Sequence, residues 1–326
     1  MKRRLERATL GIMLHISSAI DLEDLGVLRI RGADAVTFLQ GQLSNDLTRL
    51  ESQSALLAGY HNPQGRTVAV LRLVRAGSAS ERSPVDDILA VLPAELVAPV
   101  AARLTRFILR AKVRLADETA RWRVQGLSQA HAPEAIAIQV SDAPPRWLAL
   151  TERGAPSSTS APERACAERE AWRLLDIAAG IPQVYAQTTE AFVAQMLNLD
   201  LLDGIAFSKG CYTGQEVIAR AHYRGRVKRR MQRFRTLSSA ALAPGDVRQL
   251  ADGRSLRVVE AARLADGRCE FLAVVPLAQA GQTEVAGQAP DSAEPAAPAR
   301  QPEAPKPAEA PLGAEALPLP YALPEP

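Results

Sequence analysis

The residues with the clearest chemical potential are Lys209-Gly-Cys-Tyr-Thr-Gly-Gln-Glu216. They set a thiol, Cys211, between the ammonium of Lys209 and the ring of Tyr212, with Gly210 and Gly214 on either side. Glycines open backbone angles closed to other residues, so the run reads as a tight loop. Thr213 and Glu216 have capping-box spacing ahead of Val217 and Ile218, which predicts a helix capped by Thr213 and running to about His222. Cys211 would then sit two residues before a helix N-terminus, beside Lys209. Both neighbours favour thiolate and would lower its pKa below the free value of about 8.5, with Glu216 partly opposing. An isolated Cys is ordinarily a small buried hydrophobe. Here the lysine, the glycines and the cap favour a working thiol.

The elements that must position this loop are legible from periodicity. Gly26–Arg31 reads as a strand, and Gly32-Ala-Asp34 opens a helix through Phe38, Leu39 and Leu43. Ser54–Tyr60 and Thr67–Val74 read as strands joined by the turn Asn62-Pro-Gln-Gly65. Ile88–Leu92 is a further strand, Pro93 begins a helix to Ile108, and Lys112–Leu115 returns as a strand. That order suggests a split βαβ, α+β unit. Arg121–Leu127, Ala135–Val140 and Arg146–Leu150 read as a second sheet, 154–162 as a loop, and Glu163–Ala179 as a helix stopped by Gly180 and Pro182. Trp172 lies on that helix with Leu175 and Ala179 on its face; core packing is the ordinary role of such a Trp. From Val227 onward short strands (233–237, 255–262, 269–276) alternate with Pro-Gly-Asp and Asp-Gly turns, the pattern of a small β-barrel.

Composition narrows the function classes. The 326 residues suffice for two or three domains with sizeable cores. Lys+Arg of 39 against Asp+Glu of 36 gives +3, too mild to imply nucleic acid by itself. Three separated cysteines, 166, 211 and 269, with only four His, argue against a zinc site, a disulfide framework or a cluster ligated by four cysteines of one chain. No apolar run reaches the roughly 18 residues of a membrane helix. Met1-Lys-Arg-Arg4 and Leu10–Leu14 faintly resemble a signal peptide, but His15, Ser17 and Ser18 break the run, so a cytoplasmic protein is expected. Residues 281–311 hold seven Pro and nine Ala with Val285 the only larger aliphatic, and are expected to be disordered.

The octapeptide resembles the signature of the YgfZ-like folate-binding proteins, relatives of the glycine-cleavage T-protein. Phe192–Asp200, Gly204–Ser208 and Arg220-Ala-His-Tyr-Arg-Gly225 are similar to the same family's flanking segments. The likeness covers most of the chain from near Asp21, which leaves Met13 as an alternative start to Met1. It implies an α+β fold of split βαβ-type folate-binding domains followed by a small C-terminal β-barrel. The expected parts are 21–118, 119–225 with the thiol motif, and 226–326 with 281–311 inserted before a final Leu-Pro-Tyr strand.

The resemblance also implies a tetrahydrofolate site. Trp172 would border the folate, as in the family's Trp…Gly-x-Pro segment, here Trp172–Pro182, its flat indole suited to a pterin; a second family Trp aligns with Leu25. Gln40–Asp46 is similar to the family's Gln-Gly-Gln…Asn-Asp run. Asn45 and Asp46 would hydrogen-bond a pterin or, equally, form an Asx turn. Tyr60 and Arg66 on the hairpin, and Tyr212, Gln215, Glu216 and Arg220 around the motif, are the other candidate folate contacts. The T-protein's hairpin carboxylate falls near Ala69 here, and no Asp or Glu lies between Asn62 and Glu81, which argues against aminomethyl transfer.

Residues 217–245 lack Asp and Glu, and Arg220–Arg235 hold eight Lys/Arg. A solvated face is the ordinary reading. Arg220, Arg224 or Arg226 would otherwise meet an anionic polyglutamyl tail, or the run would meet RNA phosphates, with few aromatics interleaved to stack bases. The expected function is a folate-binding accessory factor for iron–sulfur cluster assembly or repair, partnered by client enzymes including tRNA-modifying ones. Cys211 would be its thiol, in transient contact with a cluster, and Lys209 would poise it; no resident metal is expected. The alternatives are a folate-dependent one-carbon transferase and a tRNA- or RNA-binding module.

Overall fold

The computed structural model describes residues 19–76, 87–128, 135–142, 144–154, 162–225, 227–277 and 310–324. A short strand β1 (Ile20–Asp21) leads into β2 (Leu25–Arg31), α1 (Ala35–Gln40), β3 (Ala55–His61), β4 (Thr67–Arg75), β5 (Asp87–Pro93), α2 (Ala94–Thr105) and β6 (Arg114–Asp117). β2 to β6 form one antiparallel sheet, ordered β3-β4-β5-β2-β6. Because β2 lies between β5 and β6 and is antiparallel to both, those two run parallel across it. β5-α2-β6 is thus a split βαβ. Period-two alternation sends side chains to opposite faces. Leu28 and Ile30 of β2, with Ala90 and Leu92 of β5, join α1 and α2 in the largest core. Val27, Leu89 and Val91 point the other way into a second core.

That second core is covered by β7 (Trp122–Leu127), β8 (Ile136–Asp142) and β9 (Pro145–Glu152), which with β1 form a sheet ordered β1-β7-β9-β8. Helix α3 (Pro162–Ala179) stops at Gly180, whose φ of +65° suits a residue without a Cβ. Beyond the thiol motif come α4 (Gln215–Tyr223) and the third sheet. Its strands are β10 (Arg229–Thr236), β11 (Val247–Gln249), β12 (Ser255–Arg263), β13 (Cys269–Pro276) and β14 (Ala314–Leu317), ordered β11-β12-β13-β10-β14. Phe234 and Phe271 stack inside it at 5.5 Å. The two edges of this small β unit touch through a single parallel bridge, Leu250–Leu312, rather than along a full ladder.

β14 pairs with β10, and the Tyr321 hydroxyl just beyond it donates to the Gly180 carbonyl at 2.7 Å and accepts from Asn198 Nδ2 at 3.3 Å. Of residues 281–311, expected to be disordered, 281–309 lie outside the described residues, as do 155–161 and the charged N-terminal run, whereas 310 and 311 are described and lead to the Leu312 bridge. The helix expected to reach Leu43 ends at Gln40. Leu43 instead bridges Tyr60, and a 3₁₀ turn, Leu47–Glu51, follows. β1 and β11 are too short for periodicity to announce. Among the described residues no helix is long and apolar enough to cross a membrane.

Candidate functional site

The Cys211 loop is fastened from below. Lys209 is buried, and its ammonium donates to the carbonyls of Gln40, Leu43 and Asn45 at 2.7, 2.7 and 2.8 Å. Desolvation pushes its pKa down to about 8, with Asp46 opposing, so the cation persists at neutral pH. The ammonium also lies 5.1 Å from the Tyr212 ring centroid. Tyr212 is itself buried, its pKa pushed up to about 12 by desolvation. Lys209 therefore works as a clamp on the 40–45 loop. Its three protons are engaged there, so none is left to donate to the thiol. Cys211 is a free, exposed thiol. Of the other two cysteines, Cys166 is also exposed, whereas Cys269 is buried and donates to the Ala240 carbonyl at 3.0 Å.

The expected capping box does not form. Helix α4 starts one residue later, with Gly214 as N-cap at φ +81° and no side-chain cap. A Cβ at Gly214 would lie 2.5 Å from the Asn62 carbonyl oxygen, and one at Gly65 would lie 2.9 Å from Val217 Cβ. The hairpin turn and the helix start are thus pressed together through two glycines, and this packing overrides the Thr213 signal. Glu216, released from capping, pairs with Arg220 at 2.8 Å on the surface. Gln215 is the first residue of α4.

The 40–46 loop and the hairpin complete this neighbourhood. Asn45 is fully buried; its amide donates to Leu57 and Asp203 carbonyls at 2.7 Å each, and its oxygen accepts from Asp46 N–H at 2.8 Å. Asp46 caps the 3₁₀ turn through Thr48 and accepts from Gln40 Nε2 at 2.9 Å, bonds that hold its carboxyl below the usual range. Asp46 thus makes the Asx-type bond to the Thr48 N–H, whereas Asn45 ties the loop to β3 and to the 203 segment. Tyr60 is buried opposite Ala69. Arg66 donates to the Ala191 carbonyl at 3.3 Å. The hairpin lacks a carboxylate of its own, but the fold brings Glu190 to it, in reach of Asn62 Nδ2 at 3.3 Å and paired with Arg103 at 2.6 Å. Those hydrogen bonds, Arg103 first, lower the Glu190 pKa. Sequence reading missed this residue, which is 128 positions from Asn62.

The basic run splits. Arg230 is buried against Asp200 at 2.8 and 2.9 Å, and Arg233 and Arg235 both meet Glu270 at 2.6 Å. Arg220, Arg224, Lys228 and Arg229 remain exposed, and Arg226 lies outside the described residues.

A separate cleft of about 860 Å³ opens between the start of α2, α3, the 185–187 segment and the third sheet. Glu260, fully buried on its wall, is bonded to the Tyr185 hydroxyl. Desolvation raises the Glu260 pKa to about 7, and that of Tyr185 well above its usual value. Asp24 and Arg173 pair at 2.8 Å beside them, yet Asp24 Oδ1 and Arg173 Nε are buried without a hydrogen-bond partner. The signal for Glu260 was a carboxylate inside the apolar run Val258-Val-Glu-Ala-Ala262, at a β-bulge.

These four residues also line a second pocket, of about 30 Å³, together with Trp172 and Arg72. Trp172 is 4% exposed, with the Arg146 guanidinium 4.8 Å over its ring. A Cβ on Gly126 would meet the indole at 2.4 Å. The indole is therefore core, and the expected open stacking face is filled. Leu25 lines the same small pocket. Trp172 and Tyr212, the neighbour of Cys211 in the chain, belong to different hydrophobic cores. Neither pocket is lined by Asn45, Asp46, Tyr60 or Arg66. Among the described residues no group of three or more His, Cys, Asp or Glu gathers to hold a metal.

No protein-family model matches the chain. Among curated proteins, "tRNA-modifying protein YgfZ" of Serratia proteamaculans is 32% identical over 272 residues, covering 76% of this chain and 81% of that protein. The protein of the same name from Escherichia coli O157:H7 is 30% identical over 278 residues, covering 76% and 82%. An uncharacterized protein of Haemophilus influenzae is 31% identical over 224 residues, covering 68% and 74%. In structure, the glycine cleavage system aminomethyltransferase T of Bartonella henselae superposes with a TM-score of 0.59 over 82% of this chain and 81% of that one, at 14% identity, a likeness of fold. With sequence identity of this extent across most of both chains, the protein belongs to the YgfZ family.

Proposed function

We propose that the protein is a cytoplasmic folate-binding accessory factor for assembly or repair of iron–sulfur clusters, supporting cluster-dependent enzymes, tRNA-modifying ones among them. The observation that carries this reading is the presentation of Cys211: an exposed thiol on a loop whose neighbours are each engaged in holding it. Exposed on this loop, the sulfur is able to bond iron of a cluster in transit. Replacing Cys211 by Ser should abolish support of cluster enzymes while leaving the fold intact. Full complementation by that variant would overturn the proposal.

The cleft supports the folate half. Its volume suits a drug-sized ligand. A pterin presents both donors and acceptors, which fits a wall with an unpartnered acceptor at Asp24 Oδ1, an unpartnered donor at Arg173 Nε, and the Glu260–Tyr185 pair. Glu260 would accept from the pterin's ring N–H and amino group, and Arg173 and Asp24 would orient it. Trp172, which lines the adjoining small pocket with these residues, would act as framework. Bound tetrahydrofolate would supply a reduced pterin able to carry a one-carbon unit. Calorimetry with tetrahydrofolate should give saturable binding that Glu260→Gln weakens about ten-fold; equal binding by the variant would move the ligand elsewhere. The one-carbon transferase alternative is weaker, because the hairpin's nearest carboxylate, Glu190, is held ionised by Arg103 and is a poor proton acceptor near neutrality.

A further inference from the structure

The exposed half of the basic run carries an aromatic platform that its sequence does not announce. Phe207, from the segment before the thiol motif, stacks on His222 of α4 with ring centroids 3.7 Å apart and planes 16° from parallel. Tyr223 stands edge-on to both, at 4.7 Å from His222 and 6.1 Å from Phe207. Phe207 backs one face of the imidazole, so its other face and the ring of Tyr223 are what solvent meets; Tyr223 is 67% exposed. A large aromatic left this open at a helix end, with no apolar patch around it to cover, serves no core.

The charge around the rings is of one sign. Arg224 follows Tyr223 directly, and the chain carries exposed Lys228 and then exposed Arg229 as the first residue of β10. Five residues reach at most about 17 Å, so both cations stay near the platform. Among the described residues no carboxylate pairs with Arg224, Lys228 or Arg229, in contrast to Arg220, Arg230, Arg233 and Arg235. Rings with open π-faces bordered by unneutralised cations are the two halves of single-strand recognition: stacking for bases, charge for phosphates. An acidic peptide would use the charges and leave the rings idle. Paired RNA would offer phosphates but keep its bases stacked on each other.

We propose that the surface formed by Phe207, His222, Tyr223, Arg224, Lys228 and Arg229 binds an unpaired RNA loop, a base stacking on Tyr223 and His222 and the backbone lying along the three cations. The surface is separate from the cleft, so its failure would leave the folate reading untouched, and tetrahydrofolate titration of each variant keeps the two apart.

The test is fluorescence anisotropy of the full chain with a labelled RNA hairpin carrying an unpaired loop, and with the fully paired duplex of the same stem. The hairpin should bind at least ten-fold more tightly than the duplex. Tyr223→Ala and His222→Ala should each weaken it about ten-fold, while Tyr223→Phe, which keeps the ring, should not. Arg224→Gln and Lys228→Gln together should flatten the log–log salt dependence by about 1.4, at roughly 0.7 per phosphate contact on a single strand. Equal affinity for hairpin and duplex would overturn the proposal. So would binding indifferent to the two ring deletions but displaced by a polyglutamate peptide, which would make the patch a docking surface for an acidic protein.

Discussion

The Cys211 loop and the cleft wall handle buried charge in opposite ways. Under the loop, the Lys209 ammonium meets three carbonyl oxygens, while the reactive group stands in solvent. On the wall, Glu260 is shut away from water with a phenol as partner, and Asp24 and Arg173 keep buried atoms unpartnered. The loop is completed by its own chain. The wall is left incomplete, which is what a ligand site needs and a core avoids. The difference teaches that in this protein rigidity and binding are assigned to different places, so substitutions should separate them.

Lys209→Ala should break the comparison most severely. It leaves three buried carbonyls unsatisfied, at about 1–3 kcal/mol each if unrelieved, so a loss on the order of 4 kcal/mol is expected in urea unfolding. A loss below about 1 kcal/mol would mean that the loop is held by something else.

Glu260 sharpens the other side. It ionises near 4.5 when unfolded and at about 7 in the fold, so the fold binds its proton the more tightly. That preference favours the folded state fully below pH 4.5 and is lost as pH rises to 7, a swing on the order of 3 kcal/mol. Glu260→Gln cannot titrate, so wild type should lose stability relative to the variant across this window. A constant gap would show that Glu260 ionises as it would in water.

Gly214→Ala combines a left-handed backbone with a clash against the Asn62 carbonyl, and should cost about 1–3 kcal/mol while displacing α4 from the hairpin. Cys211→Ser sits at the small end. An exposed side chain with no packing role should change stability by less than about 0.5 kcal/mol, so any loss of function is chemical.

Much of the scaffold was readable because its signals are local. The Asn62–Gly65 turn, the stop at Gly180 and the period-two strands of the first sheet follow from backbone chemistry and alternation. The Thr213 cap was misleading because a distant carbonyl, Asn62, decides where α4 begins. Lys209 reads as a neighbour of Cys211 along the chain, whereas its partners lie more than 160 residues away. Trp172 carried a correct burial signal in its helical face, and the residues common to its pocket and the cleft, Asp24, Arg173, Tyr185 and Glu260, come from four separate segments. The basic run looked uniform, yet Asp200 and Glu270, outside it, pair with three of its eight cations. Likewise, the ring of Phe207 reaches His222 only through folding.

The pairing of β14 with β10 bears on synthesis. β13 can cover one side of β10 soon after the ribosome passes Pro276. The other side waits for Ala314–Leu317, roughly 80 residues after Thr236 and so several seconds of elongation at ordinary rates. During that interval the nascent chain carries an open strand edge, Asn198 lacks its Tyr321 contact, and the Gly180 carbonyl lacks its donor. Crowded or slowed translation should therefore expose this edge to misassembly, and ribosome-bound chains halted between residues 277 and 313 should be the ones that chaperones hold longest.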